Sequence, residues 1–218
     1  KILKDTYKSL DEKKTLENKF LQTQLQLKEQ ELRFLKMQIH PHFLFNTLNT
    51  LYGLSLKKSE KAPEMILKLS NLLDYILYQV DKPLVLLKDE INHIEDYISL
   101  EKSRFQDSLK IMFNKKIIDD KLEIAPMLLL PFVENAFKHG AQIDGIVNVL
   151  ISLKVDENEL NFTIKNSAIS KENSKKGIGL DNIKKRLEMF YPGQHFLEVL
   201  QEEKVFIVNF KIPIRNEE

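Results

Sequence analysis

The chain has 218 residues, with 33 lysines and arginines against 32 aspartates and glutamates, and a formal net charge of +1. A protein whose main partner is nucleic acid normally carries a clear basic excess, so this balance argues against a nucleic-acid partner. The sequence contains no cysteine, which excludes disulfide bonds and cysteine-ligated metals.

The first 39 residues contain no glycine or proline and are rich in strong helix formers. Apolar residues recur there at steps of three, four and seven, with Lys28 interrupting the series: Leu21, Leu25, Leu32, Leu35 and Ile39. This spacing predicts a two-stranded coiled coil over residues 1–38. The alternative is a single amphipathic helix that packs on its own domain.

Residues 39–106 continue the helical pattern in three pieces. Pro63 suits the first turn of one helix, and Pro83 separates that helix from the next. We expect the apolar residues at helical spacing to be buried: Leu48, Leu51, Leu54, Leu69, Leu72, Leu73, Ile76 and Leu77. These features predict an all-α bundle.

The remaining residues, 107–218, mix strand and helix signals. "LKIMFNKKI" alternates like a strand, and "APMLLLPFVENAFKHG" reads as a buried helix that ends at Gly140. "GIVNVLISLKV" and "ELNFTIKNS" predict a pair of strands. A polar segment then leads to the helix "GIGLDNIKKRLEMFYPG", and two strands close the chain. The predicted fold class is therefore α+β, with an all-helical front.

The segment "PFVENAFKHG" places four polar side chains on one side of its predicted helix. Glu134, Asn135, Lys138 and His139 recur at i, i+1, i+4 and i+5, opposite an apolar side. Such a set can meet a metal–nucleotide, with the amide oxygen on Mg²⁺, the lysine on phosphate and the glutamate on a metal-bound water. Taken alone, the pattern also fits a plain solvated face.

Two further motifs carry possible chemistry. Gly177 and Gly179 open a predicted helix, and paired glycines there can present backbone N–H groups to an anion, although they also occur in plain turns. The P-loop pattern GxxxxGK[ST] is absent from the sequence. In "QIHPHFLFNTLNTL", Pro41 stands between His40 and His42, and a proline inside a helix predicts a kink.

The order of these three motifs resembles the sensor histidine kinases of two-component systems. The part from "ENAFKHG" to "GIGL" is similar to the GHKL superfamily that includes gyrase, and "QIHPHFLFNTLNTL" resembles the LytS-type branch. The resemblance covers residues 30–218. It implies a helical dimerisation and phosphotransfer domain over 39–106 and a catalytic, ATP-binding α/β sandwich over 107–218.

Carried over residue by residue, the resemblance implies that His42 is the phosphoacceptor. Asn135 matches the Mg²⁺ ligand, and Glu134 matches an acid that activates water or lies in the metal shell. Asn46, four residues after His42, can hydrogen-bond one ring nitrogen and leave the other for attack on the γ-phosphate. The implied nucleotide contacts are Asn135, Lys138, His139, Asn166, Gly177, Gly179 and Leu180.

Two positions depart from the family pattern. Phe43 follows the phosphoacceptor where many members have an acid, so no general base is assigned. Asn166 stands where most members have an aspartate that binds the adenine amino group; an amide keeps an acceptor oxygen but loses the charge. The polar segment from Ala168 to Lys176 is expected to form a mobile lid that orders with nucleotide.

The resemblance implies that the chain autophosphorylates from Mg-ATP as a homodimer and passes the phosphoryl group to an aspartate of a response regulator receiver domain. We expect the cytoplasmic part of a sensor whose membrane-spanning segment precedes Lys1, because the sequence begins with Lys1 and not with Met. No run of roughly 18 apolar residues, the length needed to span a bilayer, occurs in it. Two alternatives remain: a degenerate nucleotide-binding scaffold that signals through dimer contacts, and a GHKL ATPase.

Overall fold

The computed structural model describes residues 13–26, 41–79, 82–117, 121–156, 159–169 and 178–214. The chain divides into two compact units, Lys1–Phe43 and Leu44–Glu218. Within the described ranges, no helix is both long enough and apolar enough to cross a bilayer.

The first unit contains helix α1, over residues 13–26. All of its described side chains are exposed, including the large apolar ones: Leu16, Phe20, Leu21 and Leu25. Leu21 and Leu25 belong to the predicted seam, whereas the other three seam residues lie outside the described residues. The helix is therefore confirmed over this range, and the coiled coil stays a prediction.

Three helices follow, as the sequence predicts. Their bounds are α2, Pro41–Leu56; α3, Lys61–Tyr78; and α4, Leu87–Phe105. A short 3-10 helix, Gln106–Ser108, leads from α4 into the sheet. The kink predicted at Pro41 involves residues before α2, which lie outside the described residues.

The predicted burial of α2 and α3 is correct for only part of each helix. Among the leucines expected in the core, Leu51, Leu69 and Leu72 are buried, whereas Leu48 and Leu77 are each 47% exposed. The expectation is wrong for these two in the single chain. Helical spacing shows that a face is apolar, but it does not show whether that face meets the same chain or another molecule.

The strands form two sheets. A small antiparallel pair joins β1, Val85–Leu86, to β3, Glu123–Ile124. The main sheet contains β2, Leu109–Lys116; β4, Val147–Val155; β5, Glu159–Ser167; β6, Phe196–Gln201; and β7, Val205–Pro213. Its strand order is β2-β4-β5-β7-β6, with β2 parallel to β4 and every other pair antiparallel.

Two helices, α5 (Leu130–His139) and α6 (Ile178–Phe190), contact each other, and α5 covers one face of the main sheet. Alternate residues of β4 and β5 are buried on this face, as expected for a sheet with one solvated side. Phe132 of α5 packs there against Phe162 and Phe210, with ring centroids 5.9 and 5.6 Å away. The resulting two-layer sandwich confirms the α+β fold class.

Helix α4 contacts both α3 and α5. Its Tyr97 ring meets the Phe137 ring of α5 edge to face, with centroids 5.6 Å apart. Because β1 leads directly into α4 and pairs with β3, this helix is held to the sandwich at both ends. The predicted domain boundary between residues 106 and 107, which assigns α4 to the helical domain, stays a prediction.

The start of α5 is held by one buried carboxylate, that of Glu90 on α4. Glu90 Oε1 accepts the backbone N–H groups of Leu129 and Leu130 at 2.9 and 3.1 Å, and Oε2 accepts that of Met127 at 3.0 Å. The hydroxyl of Tyr75 on α3 also donates to Oε2. The first N–H groups of a helix have no partner within it, and the carboxylate satisfies two of them with charge of the favourable sign.

A second acidic residue, Glu101, is buried on the same helix. It forms an ion pair with Arg104 and accepts a hydrogen bond from Tyr97. Burial raises the pKa of Glu101 to about 7, and the positive charge of Arg104 acts in the opposite direction. The neutral form of this side chain is therefore favoured in the folded protein over a wide pH range.

We expect Glu90→Gln to lower the free energy of unfolding by about 2–4 kcal/mol, because either orientation of the new amide turns its NH₂ toward two donors. Urea denaturation measures the loss. The matched control is Glu95→Gln on the same helix, where a half-exposed carboxylate pairs with Lys115; it should change stability by about 0.5 kcal/mol. Equal losses in the two variants would contradict the capping role of Glu90.

We expect Glu101→Gln to flatten the dependence of stability on pH. The folded-state pKa of about 7 lies above the ordinary value of 4.5, so the folded wild-type protein binds this proton more tightly and loses stability as pH rises through that window. The full effect is about 3 kcal/mol. Urea denaturation at pH 5 and at pH 8 measures the free energy of unfolding of both proteins. Relative to wild type, the variant should be more stable at pH 8 than at pH 5. Parallel curves would contradict the assignment.

Candidate functional site

The four polar residues of α5 differ in their surroundings. Asn135 is half-buried, and Lys138 and His139 are exposed near the end of the helix. Glu134 is buried, in contrast to the shared rim predicted from spacing. After burial, the negative charges of Glu101 and then Glu134 raise the pKa of Tyr97 on α4 further.

The end of α5 is joined to the end of β5 by Ser167. The backbone N–H of Ala141 donates to the Ser167 carbonyl at 2.8 Å, and the Ser167 hydroxyl donates to the Ala141 carbonyl at 2.6 Å. The same hydroxyl oxygen accepts the N–H of Asn148 at 3.1 Å. These bonds bring the predicted phosphate-side residues of α5 next to the predicted adenine-side residues of β5.

Gly140 lies between these two ends, and its lack of a side chain is required by space. A Cβ atom at this position would be 2.7 Å from the Ala136 carbonyl oxygen and 2.8 Å from Cγ1 of Val147. Both distances are shorter than carbon contacts in proteins, so a side chain here would force the neighbouring atoms to move. The glycine predicted as the helix terminator therefore also allows the close approach of α5 to β4.

Asn166 lies on the sheet face that α5 covers, at the end of a row formed by Leu160, Phe162 and Ile164. It is 2% exposed. Its Nδ2 donates to the Ser167 carbonyl at 3.1 Å, whereas its Oδ1 has no hydrogen-bond partner among the described residues. A buried acceptor in this state is unusual, because nearly all buried polar atoms are hydrogen-bonded.

These side chains fit a nucleotide and its magnesium ion by their chemistry. A buried oxygen without a donor suits the exocyclic amine of a base. The half-buried amide of Asn135 supplies an oxygen ligand, and Mg²⁺ commonly takes only one or two protein ligands beside phosphate oxygens and water. Lys138 and His139 offer donors for phosphate at the exposed end of the same helix.

The other predicted site residues are only partly described. Gly179 and Leu180 lie in the first turn of α6, whereas Gly177 and most of the predicted lid lie outside the described residues. Before that segment, the N–H of Ala168 donates to the Lys204 carbonyl at 2.9 Å, which fixes the end of β5 beside β7.

The predicted phosphoacceptor, His42, is exposed in the first turn of α2. Phe43, which follows it, is buried, and Asn46 is half-buried. The hydrogen bond predicted between His42 and Asn46 stays a prediction. His40 lies outside the described residues.

Sequence reasoning missed the buried polar residues on the helices around α5, namely Tyr75, Glu90, Tyr97, Glu101 and Arg186. A signal for two of them is present in the sequence. Glu90 and Glu101 fall on the stripe of α4 that contains Leu87, Ile94 and Ile98, where an acidic residue at an apolar position indicates a buried partner.

A family model and similar proteins of known family point to the same family. The histidine kinase family model matches residues 30–109. The sensor protein LytS of Oceanobacillus iheyensis is 30% identical over 210 residues, which cover 87% of this chain and 35% of that protein. The sensor histidine kinase BtsS of Escherichia coli K12 is 30% identical over 195 residues, which cover 88% of this chain and 35% of that protein.

Among solved structures, the histidine kinase domain of the blue-light activated kinase EL346 from Erythrobacter litoralis aligns with a TM-score of 0.48 and 15% identity, over 67% of this chain and 74% of that chain. The chain spans about a third of the length of the curated relatives that it matches. From the family match and the similarity along most of its length, the chain belongs to the histidine kinases, in the LytS-type branch.

Proposed function

We propose that this chain is the kinase core of a sensor histidine kinase, which transfers the γ-phosphoryl group of ATP to His42 and then to an aspartate of a response regulator. The observation that carries the proposal is the buried Oδ1 of Asn166, an acceptor without a donor beside the end of α5. The family of the chain supports the same reaction.

Asn166 would recognise the adenine base. Its Nδ2 is held by the Ser167 carbonyl, which leaves Oδ1 as the atom directed at a ligand. The exocyclic amine of adenine donates to such an oxygen, whereas guanine has a carbonyl oxygen at the equivalent ring position. One buried acceptor therefore favours ATP over GTP, because the wrong base leaves two acceptors facing each other.

The residues of α5 would bind the triphosphate. Asn135 would hold a magnesium ion, whose charge neutralises phosphate oxygens as the bond to the γ-phosphorus breaks. Lys138 and His139 would contact phosphate at the exposed end of the helix, and Glu134 would orient the metal shell from its buried position. The backbone N–H groups at the start of α6, with Gly177, Gly179 and Leu180, would complete the phosphate contacts.

His42 would be the nucleophile. One ring nitrogen gives its lone pair to the γ-phosphorus, the bond to the β–γ bridging oxygen breaks, and ADP leaves with that electron pair. The proton on the other ring nitrogen is then released, and Asn46 would hold that nitrogen until it leaves. A receiver aspartate then accepts the phosphoryl group while the same ring nitrogen takes a proton back from solvent, which restores the neutral imidazole.

A homodimer is the assembly that we propose for this core. The exposed apolar residues of α2 follow steps of three and four, a spacing that forms a continuous stripe: Phe45, Leu48, Tyr52 and Leu56. Ile66 and Leu77 of α3 are also exposed. A second copy would bury these side chains in a bundle of four helices. Leu21 and Leu25 of α1 would pair with the same residues of the second copy in a coiled coil.

A scaffold without kinase activity is the second candidate. Two features of this chain favour it: the neutral Asn166 in place of an acid, and the buried Phe43 in the position of a general base. Such a protein would bind nucleotide and signal through dimer contacts alone.

Incubation with γ-labelled ATP and Mg²⁺ tests the proposal directly. Wild type should acquire an acid-labile, base-stable label, and His42→Ala should acquire none while its nucleotide affinity changes less than about twofold, because the proposal assigns the acceptor and the nucleotide residues to separate domains. The matched control is His40→Ala, which should keep the label. A label that persists in His42→Ala would move the acceptor to another residue, and an unlabelled wild type that binds ATP would favour the scaffold.

Asn166→Leu should weaken ATP binding about tenfold or more and remove the preference for ATP over GTP, because leucine fills the space without offering an acceptor. Calorimetry with each nucleotide and Mg²⁺ measures both affinities. Asn161→Leu is the matched control, since Asn161 lies on the opposite face of the same strand; its affinities should equal those of wild type. An unchanged ATP affinity in Asn166→Leu would contradict the adenine assignment.

A further inference from the structure

The segment before α5, residues 125–130, is held by side chains from three different elements. Ala125 N–H donates to the hydroxyl of Tyr191, just after α6, at 3.2 Å. Met127 N–H donates to the hydroxyl of Tyr75 on α3 at 3.1 Å and to Glu90 on α4. The position of α5 is thus set by distant parts of the chain as well as by its own packing.

Tyr75 is the contact that α3 makes with this segment. Its side chain is 1% exposed, and its ring stacks on that of His93 with centroids 3.9 Å apart. Burial, followed by the charge of Glu90, raises the pKa of Tyr75 well above its ordinary value, so the phenol stays protonated and donates to that carboxylate. The hydroxyl therefore links α3, α4 and the segment in one hydrogen-bonded unit.

Met127 is the residue that this unit constrains. Its φ is +53°, in the left-handed region that side chains other than glycine rarely occupy, and it is fully buried. A conformation of this kind costs about 1–3 kcal/mol and persists only where its surroundings impose it. The two hydrogen bonds that Met127 N–H donates hold it in this conformation, and α5 begins three residues later.

The same unit extends to α6. Arg186 is 4% exposed; burial lowers the pKa of its guanidinium, and Glu90, followed by Tyr75, opposes that lowering. Two of its nitrogens, Nε and Nη1, have no hydrogen-bond partner in the part of the chain that the structure describes. The guanidinium is thus the positive charge beside the buried carboxylate, and it comes from the helix whose first turn carries Gly179.

We infer that Tyr75 is a positioning residue for nucleotide binding, and that its hydroxyl makes the placement of Asn135 on α5 depend on the placement of α3. The inference rests on the proposed function. A helix moves nearly as a rigid body, so a shift at its start is carried to Asn135 within two turns. Displacements well under 1 Å are enough to weaken a metal–phosphate contact.

The dependence is reciprocal by thermodynamic necessity. If the position of α3 changes the affinity for nucleotide, then nucleotide binding changes the freedom of α3 by the same free energy. We therefore expect Mg-ATP to slow hydrogen exchange in the second half of α3, around Tyr75. This measurement on wild type needs no substitution.

The variant Tyr75→Phe removes only the hydroxyl. In the full chain we expect the affinity for a non-hydrolysable ATP analogue with Mg²⁺ to fall about fivefold or more, measured by calorimetry. KM for ATP should rise by the same factor, while kcat for labelling of His42 stays within about twofold of wild type. The slowing of exchange in α3 on nucleotide binding should be lost.

Tyr191→Phe is the matched control. It removes the corresponding hydroxyl bond to the same segment, but from the end of α6 and not from α3. It should reduce stability to a similar degree and leave both the nucleotide affinity and the response of α3 as in wild type. The test does not depend on Tyr75→Phe being as stable as wild type, because hydrogen exchange in wild type measures the same coupling without a substitution.

Five outcomes decide the inference. The pattern above supports it. Unchanged affinity in Tyr75→Phe overturns it, and so does equal weakening in Tyr191→Phe, which would assign the effect to the segment alone. A wild-type chain that binds Mg-ATP without any change of exchange in α3 also overturns it. A wild-type chain that binds no nucleotide overturns the proposed function and the inference together.

Discussion

The sandwich depends on the hydrogen bonds that one buried carboxylate, that of Glu90, accepts. It accepts the backbone N–H groups that open α5 and the hydroxyl of Tyr75, with the guanidinium of Arg186 nearby. A charge in the interior is stable only when its partners surround it, so three helices must meet at this point. The helix that carries Asn135 is placed by this requirement, and hydrophobic packing on Phe162 then fixes its face against the sheet.

The elements with strong periodicity are those that the sequence predicts well. The alternation of β4 and β5 and the end of α5 before Gly140 occur where expected, whereas α5 begins at Leu130 and not at Ala125. The two-residue strands β1 and β3 are too short to leave a periodic signal, and they were not predicted. The exposure of Leu48 and Leu77 was also not predictable, because spacing describes a face and not its neighbour.

The candidate site was predictable as a set of residue types, but its geometry was not. Motif order placed Asn135 and Asn166 in one site, and α5 does cover the sheet face on which Asn166 lies. The two hydrogen bonds between Ser167 and Ala141 use backbone groups of these residues, and no residue pattern in the sequence indicates which backbone groups will pair. Glu134 was expected on the polar rim beside Asn135, but it is buried, because helical spacing gives the direction of a side chain and not what packs against it.

The amide of Asn166 also bears on the state of this protein without a ligand. An unpartnered neutral oxygen in the interior costs about 1–3 kcal/mol, whereas an unpartnered carboxylate costs several times more or takes up a proton. A chain with asparagine here tolerates an empty binding site better than one with aspartate, and it attracts an amine less strongly. On the proposed function, the fraction of binding sites that are occupied should therefore vary with nucleotide concentration over a range in which a charged acceptor would already be saturated.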